Sequence, residues 1–299
     1  MKRSSRHLSG LIITENMDMK LRSSFSTGGK AEYYAEPRGI GDCIYLLETA
    51  YRKNLKVTII GSGTHILVSD SGIPGLVIST AGMKGMSIKG SLLIASPGET
   101  LDNIINKAID HNLAGLEKLG GIPGTIGGAL AVNAGANAMN LADVFFYADY
   151  LTADGSLHRR PHFHDAFSEQ DSIFSKHCLV VSVALRLNPT RASAEARERK
   201  EEYVEKMYIP PSRRFSGEIF RDSDEMKAAE AIRKARLTGP NGSHAEFSEY
   251  QPNSILTYPG CISSEIYNLI EYAQETIKKK LGVSLVPSIT MLGAFRSPS

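Results

Sequence analysis

The sequence of 299 residues has no tryptophan and only three cysteines, and its charges nearly cancel, with 34 Lys and Arg against 32 Asp and Glu for a formal +2. Each shortage excludes a class of function. A near-neutral chain has no global field to draw it to nucleic acid or to an anionic membrane, so no nucleic-acid partner is expected and an anionic ligand has to be caught locally. Cys43, Cys178 and Cys261 are odd in number, far apart and free of any CxxC pair. That argues against a disulfide framework and a zinc site and fits a reducing, cytoplasmic setting. Long apolar runs are missing too. Leu11-Ile12-Ile13, which follows Lys2, Arg3 and Arg6, is far too short for a signal h-region or a membrane span, so no membrane insertion is expected. His158, His162, His164 and Asp165 lie close in sequence but at no recognised ligand spacing, and no metal is expected.

What is present is an ordinary globular composition, 42% hydrophobic, arranged in short segments. Ser26 to Pro37 reads as a Gly-Gly turn and a strand ended by proline. A helix follows, with Ile44, Leu47 and Tyr51 at helical spacing beside Ala50. Val57 to Ile60 and Leu76 to Ile78 read as buried strands, and Leu92 to Ala95 as another. Thr100 to His111 is expected to be a helix capped by Thr100, with Leu101, Ile104, Ile105 and Ala108 on its apolar face. Strands at Phe145 to Thr152 and Leu179 to Leu187 close an α+β unit near Pro189. The charged stretch Arg191 to Lys206 reads as a solvated connecting helix. Beyond Pro210-Pro211 a smaller unit is expected, with helices at Glu225 to Ala235 and Ser263 to Leu281.

Two glycine-rich constellations carry the chemistry. The strand at Val57 runs straight into Gly61-Ser62-Gly63-Thr64-His65. A turn of this kind presents backbone N–H groups and hydroxyls to one anion, because glycine permits positive φ and close approach; a diphosphate is its natural guest. The second run, Gly120-Gly121-Ile122-Pro123-Gly124-Thr125-Ile126-Gly127-Gly128, continues through Asn133 to Gly135 and holds six glycines and one proline. It lacks the polar composition of a linker, and it brings backbone close to something flat or bulky. No G-K-[ST] follows, and neither the spacing nor an acidic partner suits a dinucleotide fingerprint.

These residues carry a family resemblance. Gly115 to Gly135 is similar almost throughout to G-L-E-x-L-x-G-I-P-G-T-x-G-G-A-x-x-M-N-A-G of the UDP-N-acetylenolpyruvoylglucosamine reductases, within the wider vanillyl-alcohol-oxidase-like group of FAD-binding proteins. Ser23 to Gly29 resembles the family's N-T-F-x-x-G-G opening. Ile60 to Asp70 resembles its phosphate turn, G-G-G-S-N-x-L-V-x-D, and Asp171 to Phe174 its D-S-x-F. More faintly, Ala235 to Gly239, Gln251 to Leu256 and Leu285 to Ile289 resemble its C-terminal A-G-L-K-G, H-A-N-F-I-V and L-E-P-E-V. Length and missing insertions resemble the shorter subtype. The implied fold is α+β: an FAD-binding PCMH-type module over residues 1–190, in two subdomains split near residue 80, then a linker helix over 191–210 and a smaller α+β substrate domain over 211–299.

The implied activity is an oxidoreductase of cytoplasmic peptidoglycan synthesis. NADPH reduces FAD, and the flavin passes a hydride to the enolpyruvyl double bond of UDP-N-acetylglucosamine enolpyruvate. The implied partners are a UDP-sugar substrate, FAD and NADPH, with a monomer expected. The implied cofactor contacts are Gly61 to His65, Gly120 to Thr125, Gly127, Gly128, Asn133 and Gly135. At the three positions where the family stabilises and protonates the enolate, the chain departs from the pattern. Gln170 stands for an arginine, Glu218 for a serine and Ser288 for a glutamate. Two readings stay open. Glu218 and Ser288 restore a carboxyl and a hydroxyl with exchanged places, the proton donor being Glu218, Ser288 or the nearby Ser216; or the chain keeps the FAD cradle without the reaction.

Overall fold

The computed structural model describes residues 10–163, 166–168, 171–175, 178–206, 214–215, 217–240 and 242–295. Chain order first builds a sheet from β1 (Ile13–Asp18), β2 (Lys30–Ala35), β3 (Val57–Ile60) and β5 (Ile73–Ser79), in the order β1-β2-β5-β3. Both pairings of β5 are parallel and β1 is antiparallel to β2. A parallel pair needs a crossover, and α1 (Ile40–Arg52) supplies it between β2 and β3. Its buried residues include Cys43, Leu46, Leu47 and Ala50, the i, i+3, i+4, i+7 stripe of a helix lying on a sheet. That stripe sits one position away from the expected one. Tyr51, expected on the apolar face, is 83% exposed.

After a 3-10 turn at Thr80–Gly82 the chain enters a five-stranded antiparallel sheet. It contains β6 (Met86–Lys89), β7 (Leu92–Ala95) and the strands Phe145–Leu151, Leu157–Pro161 and Leu179–Arg186. One core joins this sheet to α2 (Leu101–Asp110) and α3 (Ile126–Ala131). The expected cap of α2 is present, with Thr100 Oγ1 accepting the Asn103 N–H at 3.2 Å. Leu101, Ile104, Ile105 and Ala108 are all buried.

The charged segment is a helix as expected, α4 (Ser193–Lys206), but it is docked rather than solvated. Ala196 and Lys200 are buried. Lys200 Nζ lies 2.5 Å from Asp102 and 2.9 Å from Asn106 Oδ1, Arg197 pairs with Asp110 at 2.7 Å, and Arg199 with Glu117 at 3.3 Å. The charge pattern concealed this because its partners lie on α2 and the turn after it, roughly 80–100 residues away in sequence.

The remaining chain forms a three-stranded sheet, Arg214–Phe215, Ile255–Thr257 and Ala245–Phe247, with α5 (Ala228–Ala235) and α6 (Ser263–Leu281). Helix α6 stops at Gly282, whose φ of 74° is left-handed, with Lys278, Lys279 and Lys280 in its last turn, where cations favour the helix dipole. The C-terminal segment then returns to the first module. Thr290–Leu292 pairs in parallel with β4 (Ile66–Val68), and Phe25 and Leu67 belong to the core of the C-terminal helices.

No helix among the described residues is long and apolar enough to cross a membrane. The three cysteines are free thiols. Burial, followed by the nearby Asp42, pushes Cys43 up to about 12; burial, followed by Glu265, does the same for Cys261. A thiol so raised is about 10⁻⁴ thiolate at pH 8, and the thiolate is the nucleophile. Ellman's reagent at pH 8 is therefore expected to leave Cys43 and Cys261 unmodified in the native protein and to titrate them only after denaturant is added. Rapid native labelling of either would contradict the packing described here.

Candidate functional site

The turn at the end of β3 is held from three sides. Ser79 Oγ donates to the Gly61 carbonyl at 3.1 Å and Thr80 Oγ1 to that of Ile60 at 3.3 Å. Ser24 donates its N–H to the Gly63 carbonyl at 3.0 Å and its hydroxyl to that of Thr64 at 3.2 Å. Thr64 Oγ1 in turn donates to the Pro123 carbonyl at 3.4 Å, joining the turn to the second glycine run. Glycine is required by close approach. A Cβ on Gly61 would lie 2.5 Å from Thr125 Oγ1, and one on Gly63, whose φ is 77°, would lie 1.9 Å from the Arg22 carbonyl oxygen.

The second run wraps the far side of the turn. Gly120 closes a 3-10 turn by donating to the Glu117 carbonyl at 2.9 Å, and Ile122 donates to that of Leu119 at 3.2 Å. Gly121 and Gly124 both have positive φ. The Gly124 carbonyl accepts from the Leu101 N–H at 3.1 Å, Thr125 bridges Thr100, and the N–H groups of Ile126 and Gly127 go to the carbonyls of Glu99 and Pro97. The loop Pro97–Glu99 thus takes up the N–H groups of Ile126 and of Gly127, one of the expected cofactor contacts. The Gly128 backbone lies against Gly61. Gly120 packs toward Lys200 on α4, and Gly135 faces Asn140 across a short hairpin. The Asn133 side chain spans two segments, donating to the Ser168 carbonyl at 3.0 Å and accepting from the Ala142 N–H at 3.1 Å.

Two buried hydroxyls beside the turn have no hydrogen-bond partner among the described residues, Ser23 Oγ and Thr125 Oγ1. Thr125 occupies the N-cap position of α3 without making a cap bond, and the Ser23 backbone lies against Gly63. An orphaned buried hydroxyl is costly. Two of them flanking a close-packed glycine turn suit a guest rich in acceptor oxygens, and the diphosphate of FAD fits that requirement. Ser23 stands outside the expected contact set, although it opens one of the motifs that carried the resemblance.

Gln170 and Ser216 lie outside the described residues. On either side of Gln170, Ser168 and Asp171 pair with each other, and Ser172 Oγ donates to the Leu130 carbonyl at 2.7 Å, anchoring this hairpin to α3. Glu218 and Ser288 come together although 70 residues separate them. Ser288 Oγ donates to the Glu218 carbonyl at 2.7 Å and its N–H to that of Ile219, also at 2.7 Å. Next to them Ile219 and Phe220 are fully buried, whereas the Glu218 side chain is exposed. Asn253 clamps the segment: its Oδ1 accepts the Phe220 N–H at 3.0 Å, its Nδ2 donates to the Phe220 carbonyl at 2.8 Å and its own carbonyl accepts the Ile219 N–H at 2.8 Å. The signal for Asn253 was present in Gln251 to Leu256, where the motif keeps its asparagine.

His65 joins the two halves. Its Nδ1 is 3.9 Å from where a Gly217 Cβ would project, and its carbonyl accepts the Thr290 N–H at 3.2 Å. The exposed carboxyl of Glu218 therefore belongs to a segment lying on the glycine turn. The glycine turn thus lies beside Gly217, the neighbour of Glu218, on a segment held through Ser288 and Asn253.

Comparison with known proteins gives a consistent picture. The family model for an FAD binding domain matches residues 31–160, and that for the C-terminal domain of UDP-N-acetylenolpyruvoylglucosamine reductase matches residues 210–292. A curated UDP-N-acetylenolpyruvoylglucosamine reductase from Synechocystis sp. is 30% identical over 96% of this chain and 92% of its own length. One from Agathobacter rectalis is 32% identical over 98% of each. The crystal structure of the UDP-N-acetylenolpyruvylglucosamine reductase from Thermus caldophilus superimposes with a TM-score of 0.79 at 21% identity, covering 95% of this chain and 99% of that one. At that identity the superposition speaks for the fold.

Proposed function

Membership of the UDP-N-acetylenolpyruvoylglucosamine reductase family is the premise here, since the chain belongs to it by its similarity to curated relatives over nearly its whole length, and from it we propose that the chain reduces the enolpyruvyl group of UDP-N-acetylglucosamine enolpyruvate to give UDP-N-acetylmuramate for peptidoglycan. The single observation that carries this reading is the meeting of the Glu218 segment with the glycine turn through His65 and Gly217.

Bound FAD supplies two-electron hydride chemistry, with NADPH as reductant and the enolpyruvyl carbon as acceptor. Gly61 to His65 and Gly121 to Gly128 form the cradle in this reading, with the free hydroxyls of Ser23 and Thr125 donating to the diphosphate. Gly120, Asn133 and Gly135 shape it from behind through the contacts described above. Once hydride reaches the substrate, the enolate carbon must take a proton. In this reading Glu218, whose segment meets the glycine turn through Gly217 and His65, is the candidate to give it. The Ser288 hydroxyl has one proton to donate, and it already goes to the Glu218 carbonyl at 2.7 Å. In this reading Glu218 is the candidate donor, and Ser288 holds its segment in place. The setting in this reading is the cytoplasm, and the active unit is a monomer.

Anaerobic stopped-flow tests it. The purified protein is expected to be yellow, to bleach with NADPH and to recover its flavin absorbance when the enolpyruvyl sugar nucleotide is added. Reduced protein that never reoxidises with that substrate would overturn the reductase reading. A colourless protein with no FAD affinity would overturn the cradle as well.

A further inference from the structure

The segment that leaves the cofactor turn does more than form a strand. From His65 the chain runs through β4 to Asp70, and there it meets the start of α6. Asp70 Oδ1 accepts the Ser263 N–H at 2.9 Å, and Oδ2 accepts both the Ser264 N–H at 2.9 Å and the Ser264 hydroxyl. These are donors that a helix start leaves unsatisfied, and here the cap comes from another module, 193 residues earlier. Beside it Ser263 Oγ bonds Thr27 Oγ1 at 2.8 Å, with Ser263 at 0% and Thr27 at 1% exposure. Close backbone approach fixes this corner. Gly29 donates to the Ser69 carbonyl at 2.8 Å, and a Cβ on Gly29 would lie 2.3 Å from the Asp70 carbonyl oxygen.

The other end of the linkage reaches Glu218. Helix α6 is a 19-residue rod, and Gln274 on it donates to the Leu285 carbonyl at 2.8 Å. Leu285 leads directly to Ser288, which holds the Glu218 and Ile219 carbonyls, and Pro287 bridges Phe220. Thr290–Leu292 then pairs with β4, which closes the circuit. A tilt of α6 at its N-terminus therefore moves the segment that carries Glu218 relative to the glycine turn.

We propose that Asp70 is a positioning residue for the reduction: by capping α6 from the cofactor-binding module, it sets the placement of Glu218 over the glycine turn. The proposal rests on the reductase reading given above. Asp70 touches neither the expected cofactor contacts nor Glu218, so it acts through α6. A misplacement of about 1 Å far from the chemistry can cost roughly a hundredfold in rate, and loss of a helix cap loosens the first turn by a factor of about 2 to 30.

Two measurements on the FAD-loaded protein test this, using Asp70→Ala and Asp70→Asn. In stopped-flow, bleaching by NADPH is expected to stay within about threefold of the native rate while reoxidation by the sugar nucleotide slows by roughly tenfold to a hundredfold. In hydrogen exchange, the amides of residues 263–266, 286 and 288–290 are expected to exchange about 2 to 30 times faster, with residues 93–95 unchanged. Asparagine keeps the side-chain volume and one acceptor, so it carries the same test if alanine prevents folding. Equal slowing of both half-reactions, or exchange at 286 and 288–290 that matches the native protein, would overturn the proposal. Failure of the native protein to reoxidise would overturn the reductase reading and with it the role of Asp70 in reduction, and the exchange arm would then show separately whether Asp70 supports the Glu218 segment.

Discussion

Replacing Glu218 by glutamine is expected to slow turnover by roughly 10²- to 10⁴-fold, the usual contribution of a positioned proton donor, while FAD stays bound and NADPH still bleaches it. The change keeps shape and removes only the transferable proton. The fold around it should be untouched, because the Glu218 side chain is exposed and the strand is held through its backbone by Ser288 and Asn253. The loss should fall on reoxidation by the enolpyruvyl sugar nucleotide, measured anaerobically after reduction. Ser288→Ala separates the two roles. Ser288 gives one hydrogen bond to the Glu218 carbonyl, a bond typically worth about 0.5–1.5 kcal/mol, so its removal should cost about tenfold or less. If Ser288→Ala were the more damaging change, the donor would be Ser288 and the carboxyl would have another task. Near-native turnover in both variants would point to a donor such as Ser216.

Gly63→Ala is expected to yield protein that is purified without flavin and is less stable by about 2–5 kcal/mol, combining left-handed backbone strain with overpacking. The added carbon would lie 1.9 Å from the Arg22 carbonyl oxygen, and backbone cannot swing aside as a flexible side chain can. To make room, Gly61 to Thr64 must move away from Ser23, breaking the Ser24–Gly63 and Ser24–Thr64 bonds that shape the cradle. Gly90→Ala is the matched control. Its φ of 59° is also left-handed, but a Cβ there meets nothing within 4 Å. It should therefore show only the smaller strain cost and keep its FAD. The ratio of flavin to protein absorbance reads cofactor loss, and urea denaturation reads stability. Full flavin content in Gly63→Ala would mean that the turn is not the cradle.

The local elements were readable because their causes are local. Thr100 caps α2 as its side-chain chemistry dictates, the apolar spacing of α2 matched its buried face, and α6 begins and ends where its pattern does. Errors arose where a neighbour from elsewhere decided the outcome. Tyr51 turned outward because the face of α1 is chosen by the sheet it covers. Helix α4 looked solvated until Asp102, Asp110 and Glu117 provided partners for its cations. The glycine run gave the same lesson in the site. Its backbone donors at Ile126 and Gly127 go to Glu99 and Pro97, a loop that no motif marked.

By itself the sequence determined the family, the FAD cofactor and the α+β class, and glycine at Gly61 and Gly63 records where the chain packs too closely for a side chain. It also exposed the substituted chemical positions, of which Gln170 lies outside the described residues. Only the tertiary structure decided that Ser288 holds the Glu218 segment by hydrogen bonds, that His65 lies against Gly217, and that Asp70 caps α6 from the first module. The physical reason is range. Propensity, capping and turn chemistry act over a few residues, whereas the Glu218 segment is set by contacts across 70 to more than 200 positions, which exist only once the C-terminal strand returns to β4.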